Sequence, residues 1–120
     1  MMRTPMIQIS KFIAVLTMLA SVACHAAQFD VAHVREQGQD MIVFPLNSQV
    51  QYRSDQERGQ MMYALQMCAS SARLGGTVVM MWEANGRTMF MAPRQWHGFF
   101  SSVDMLWVAK NVNKKLNCNF

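Results

Sequence analysis

No apolar run in this chain reaches the roughly 20 residues that a membrane-spanning helix takes. The N-terminal run, Phe12 to Ala23, falls well short of that length. A concentrated basic stripe is missing as well, which argues against a nucleic-acid binder. The single local cluster is Lys110, Lys114 and Lys115, and cations near a helix C-terminus are ordinary because they oppose the negative end of the helix dipole. There are three cysteines and no Cys-x-x-Cys pair, so the spacing typical of a thiol redox motif is absent. Repeats, low-complexity tracts and a second domain are also absent.

What the N-terminus does contain is a targeting pattern. Arg3 and Lys11 flank the Phe12–Ala23 run, and small residues Cys24 and Ala26 stand where a signal peptidase reads. The pattern predicts a secretory signal peptide over residues 1–26 and a single domain over 27–120, periplasmic or secreted. Lipidation at Cys24 is the rival, but Ser21 holds the position that the lipid-attachment box usually gives to Leu. Membrane contact is expected only if Cys24 is lipidated. Removing Arg3 and Lys11 leaves 9 basic against 7 acidic residues, so the net charge falls from +4 to +2. Most of the apparent basicity belongs to the signal.

The same cleavage leaves Cys68 and Cys118. An even pair in a small exported domain predicts a disulfide.

Thr77 to Phe100, TVVMMWEANGRTMFMAPRQWHGFF, organises the rest. Asn85-Gly86 takes the positive φ angles of a two-residue type I′ turn and lies between β-prone runs, which predicts a hairpin. Its register pairs Ala84 with Arg87, Glu83 with Thr88, Trp82 with Met89, Met81 with Phe90 and Met80 with Met91. Strand alternation then puts Val78, Met80, Trp82, Met89 and Met91 on one face and Val79, Met81, Phe90 and Ala92 on the other. Both faces are apolar. Such a hairpin needs a second cover, from this chain or from a partner.

Earlier in the chain, Phe29–Arg35 alternates as a strand, and Met41–Leu46 reads as a second with Pro45 at an end or edge. Ser54-Asp55-Gln56-Glu57 is a capping box, followed by Met61, Leu65, Cys68 and Ala72 at helical spacing and stopped by Gly75-Gly76. Beyond Pro93, Trp96, Phe99, Phe100 and Val103 recur as on a short helix. A final helix is expected over Val103–Leu116 with Met105, Ala109, Val112 and Leu116 inward. The expected fold is α+β: a two-layer domain with a four-stranded antiparallel sheet, element order ββαββαα, helices on one face and one disulfide.

Three groups could carry function. Met80, Met89 and Met91 converge beside Trp82, and thioethers suit soft ions such as Cu(I) or Ag(I); Met also fills irregular cores and adaptable interfaces. His97 is a candidate general base or ligand, with Ser101 and Asp104 one and two turns on. Ser101 would then separate His97 from Asp104, whereas a working triad keeps the His between its partners. Aromatic and Arg anchors dominate many interfaces, which makes Arg94, Trp96, His97, Phe99, Phe100 and Trp82 the candidate partner-binding residues. The rival is that the aromatics close the domain's own core.

The resulting expectation is a small exported protein that works by protein–protein binding without a cofactor. Suitable roles are an inhibitor or immunity protein, or an accessory component of an envelope secretion or conjugation machine. The partner would be another exported or envelope protein, or a second copy of the chain. The alternative is a periplasmic copper or silver carrier that uses the hairpin methionines.

Overall fold

Asn85 and Gly86 adopt φ angles of 53° and 75°, the two positive values that a type I′ turn requires. The turn joins β3 (Thr77–Ala84) to β4 (Arg87–Met91), with Ala84 facing Arg87, Trp82 facing Met89 and Met80 facing Met91. This is the register expected from the sequence. The computed structural model describes residues 26–119; residues 1–25 of the proposed signal peptide, including Cys24, lie outside the described residues.

The other strands correct the expected sheet. β1 (Ala26–Glu36) and β2 (Gln39–Pro45) form an antiparallel hairpin, but β2 runs parallel to β3. The reason is the helix between them, α1 (Asp55–Ser71), which carries the chain back along the sheet before β3 begins. The sheet is therefore mixed. The expected final helix stops at Asn111, and a fifth strand, β5 (Lys114–Asn119), takes its last three residues and pairs with Ala26–Val31 of β1. Leu116 and Cys118 point inward while Lys115, Asn117 and Asn119 point out, the two-residue period of a strand. The order across the sheet is β4-β3-β2-β1-β5.

Both apolar faces are covered from within the chain, so the helices are not confined to one face. On the first face α1 buries Leu65 and Ala69 against Val31, Ile42, Phe44, Val78, Met80 and Trp82. On the second, Ala32, Met41, Val43, Val79 and Met81 lie under Trp96, Phe100 and Val108. These last three come from a 3-10 turn (Arg94–Trp96) and two short helices, α2 (His97–Ser101) and α3 (Met105–Asn111). The domain is thus a small α+β sheet with helices on both sides.

Local chemistry fixes the ends. Ser54 caps α1: its hydroxyl accepts from the Glu57 N–H (3.1 Å), and the Glu57 carboxylate accepts from the Ser54 N–H (3.0 Å). The Ser54 backbone N–H, followed by its hydroxyl and nearby Arg53, holds the Glu57 carboxyl below the usual carboxylate range. Gly76 has φ +123°, and a Cβ there would lie 2.5 Å from the Asp40 carbonyl oxygen. Only glycine lets β3 start so close to β2. At the far edge, Asn113 extends the β1–β5 ladder with its side chain, accepting from the His33 N–H (2.8 Å) and donating to the His33 carbonyl (2.9 Å).

Cys68 on α1 and Cys118 on β5 are joined in the expected disulfide. The bond ties the edge strand to the helix above it.

Candidate functional site

The residues singled out from the sequence separate into interior and surface. Trp96 (5% exposed) and Phe100 (1%) belong to the core under α2 and α3, and Trp82 is buried on the opposite face of the sheet. Its indole N–H donates to Gln51 Oε1 (2.9 Å), and the Arg58 guanidinium stacks over its ring at 5.6 Å. Arg58 also donates to the carbonyls of Val50 and Gln51. These contacts pin the Ser48–Tyr52 turn to the hairpin and leave the indole no surface to offer. Phe99 is half-buried between Phe100 and Trp107, whereas Arg94 and His97 are exposed.

The His, Ser and Asp group does not assemble. His97 Nε2–H donates to the Ala92 carbonyl (2.9 Å) and Ser101 Oγ donates to the His97 carbonyl (2.7 Å). Asp104 instead caps α3 by accepting from the Trp107 N–H (2.9 Å). Each side chain is committed to backbone, so no nucleophile faces a base. Among the described residues no group of three or more His, Cys, Asp or Glu is placed to hold a metal.

The methionines do meet. Met80 and Met91 are direct cross-strand partners and Met89 lies two residues along the same face. Met80 is fully buried, while Met89 and Met91 are partly buried against the same cluster, joined by Met61 and Met62 of α1.

The feature that periodicity did not disclose is the outer face of α1. From Gly59 to Ala72 the chain carries no charge at all, and Arg58 and Arg73 bracket the interval. The inward stripe accounts for Leu65 and Ala69, yet Tyr63 (69% exposed) and Met67 (51%) stand on the solvent side with Gly59, Gln60 and Ser70. A surface helix normally sets charged residues on its wet face. Here that face has the composition of an interface, with Tyr and Met enriched and charge depleted. The signal was available in the sequence as an absence of charge, which a search for apolar spacing passes over.

Two depressions flank this ridge. On the β1 side a cleft of about 460 Å³ is lined by Leu46, Met61, Ala64 and Leu65, with Arg53 and Glu57 on its rim. On the β4 side a groove of about 400 Å³ runs between Met62, Tyr63 and Gln66 of α1 and Val78 and Pro93. An exposed Tyr63 and Met67 between two largely apolar grooves give a partner both knobs and holes. The chain matches no family model, no curated protein and no solved structure, so its function is argued from this surface.

Proposed function

We propose that this is an exported protein-binding domain that docks a partner on the outer face of α1. The observation that carries the reading is the uncharged, partly apolar helix face centred on Tyr63 and Met67. A rigid sheet beneath and a disulfide at its C-terminal end hold the face in place, so little ordering cost falls on binding. The disulfide also supports an oxidising compartment and, with the N-terminal targeting pattern, export. Binding rather than catalysis fits a surface whose polar side chains are spent on caps and turns. An inhibitor, an immunity protein or an accessory part of an envelope machine would each work through such a face, against another envelope protein or a second copy.

The test places a photo-crosslinking amino acid at position 63 or 67 in the host, with position 110 on α3 as the control. Adducts of one defined mass are expected from 63 and 67 and none from 110. The double variant Tyr63→Glu and Met67→Glu should weaken partner binding by about tenfold or more. Both sites are exposed, so its unfolding free energy should stay within about 0.5 kcal/mol of the parent. Equal adducts from all three positions, or unchanged binding by the double variant, would remove α1 from the interface.

The second reading rests on the pairing of Met80 with Met91 beside Met89, a soft-donor set on one sheet face. Protein binding predicts that Cu(I) leaves the melting temperature unchanged under anaerobic conditions. A rise of several degrees that Met89→Leu and Met91→Leu together abolish would select the carrier.

A further inference from the structure

β4 is the last strand of the sheet on its side, and it lacks the protection that the opposite edge has. β5 carries Lys114, Lys115, Asn117 and Asn119 along its exposed positions, the charged and polar dressing that keeps an edge from recruiting other chains. Between Arg87 and Arg94, by contrast, β4 and its continuation read Thr-Met-Phe-Met-Ala-Pro without a charge. A two-residue hairpin turn makes Ala84 and Arg87 a hydrogen-bonded pair, and the alternation sends the N–H and C=O of Arg87, Met89 and Met91 to β3. Those of Thr88 and Phe90 therefore face away from the sheet, and no described residue pairs with them.

The side chains beside this edge leave room on both faces of the sheet. On the α2 side, an open groove of about 630 Å³ is lined by Thr88, Phe90, His97, Ser101 and Val103. On the α1 side lie the partly buried Met89 and Met91 and, near Pro93, the groove beside Met62. An added strand would send alternate side chains to these two faces, as strand addition requires.

Charge selects the occupant. Arg87 and Arg94 stand exposed at the two ends of the uncharged interval, and neither has an ion-pair partner among the described residues. A second copy fits badly. Antiparallel self-pairing brings Arg87 of one chain toward Arg94 of the other at both ends, and parallel self-pairing sets Arg87 beside Arg87. We propose that the open edge of β4 binds an extended segment of a partner protein whose short uncharged, β-prone core is flanked at both ends by carboxylates. This contact borders the α1 face at the groove beside Met62, but it rests on the β4 edge and its two arginines and not on Tyr63 or Met67.

The probe is the synthetic peptide acetyl-Glu-Thr-Val-Thr-Val-Thr-Glu-amide, compared with the same peptide carrying lysine at both ends, added to the isotope-labelled full domain. The acidic-ended peptide should bind about tenfold more tightly at low salt, from two ion pairs gained against two repulsions. Hydrogen exchange at the Thr88 and Phe90 amides should slow, while Met89 and Met91, already bonded to β3, should change little. Reversing Arg87→Glu and Arg94→Glu together should switch the preference to the lysine-ended peptide. Thr88→Pro removes an outward N–H at a position where an edge strand tolerates proline, and should abolish binding that Thr88→Val retains. If the proline variant does not fold, the charge reversal decides alone. Equal binding of the two peptides, protection confined to β5 or to α1, or dimerisation of the free domain through β4 would each overturn the proposal. Only the outcome at Tyr63 and Met67 bears on the α1 face.

Discussion

Replacing Cys68 and Cys118 together with alanine lowers the unfolding free energy by about 4 kcal/mol. The residues are 50 apart in sequence, so the bond closes a loop that runs from the last turn of α1 through the hairpin and both short helices to β5. In the chain-entropy account the cost of leaving that loop open falls on the unfolded state, and it grows with the logarithm of loop length. A small domain has a total margin of only about 5–15 kcal/mol, so the expected loss is a large share of it. In melting temperature this amounts to about 20 °C for a domain of this size. Urea titration of the oxidised and doubly substituted proteins measures it directly.

The loss should also be uneven. β5 sits at the sheet edge and, among the described residues, pairs with the first half of β1, a ladder that Asn113 extends with its side chain. Without the disulfide, the amides of residues 114–118 should exchange first, while those of β2 and β3, paired on both sides, stay protected. A difference below about 1 kcal/mol would mean that the reduced chain keeps β5 docked through Leu116 alone, or that its denatured state is already compact.

How much of this was legible depended on whether a local signal had a competitor. Asn85-Gly86 had none, since few dipeptides accept two positive φ angles, and the whole β3–β4 register followed from it. The two-sided apolar hairpin correctly demanded a second cover, which α2 and α3 provide. Val112 and Leu116 misled because four residues apart is helical spacing as well as two strand periods. The alternation of Leu116 and Cys118 with Lys115, Asn117 and Asn119 favours the strand, and the Cys118 bond to α1 demands that inward side. Parallel pairing of β2 with β3 is a long-range choice, fixed by where α1 lies rather than by anything within either strand. For the site, periodicity located the inward stripe of α1 and was silent about Tyr63 and Met67, whose interest lies in the missing charges around them.

The aromatic segment tests the same distinction between core and surface. Phe100→Ala should cost about 4 kcal/mol, and Arg94→Ala less than about 0.5. Phe100 is 1% exposed and packs between Phe90 and Phe99, at ring separations of 5.9 and 5.1 Å, above a sheet face formed by Met41, Val43, Val79 and Met81. α2 is five residues long, too short to persist on its own helix propensity. It is held by what it buries, so removing the ring takes away both the transfer free energy and the reason for the helix to stay. Urea midpoints for both variants, with partner binding measured below each transition, separate the two roles. In Phe100→Ala any loss of binding should track the unfolded fraction. In Arg94→Ala the fold should be intact, so a loss there would assign the guanidinium to a partner, as the β4 edge proposal requires. A cost for Phe100→Ala below about 1 kcal/mol would mean that α2 is not a fixed cover, and would return the second face of the sheet to the list of surfaces a partner can reach.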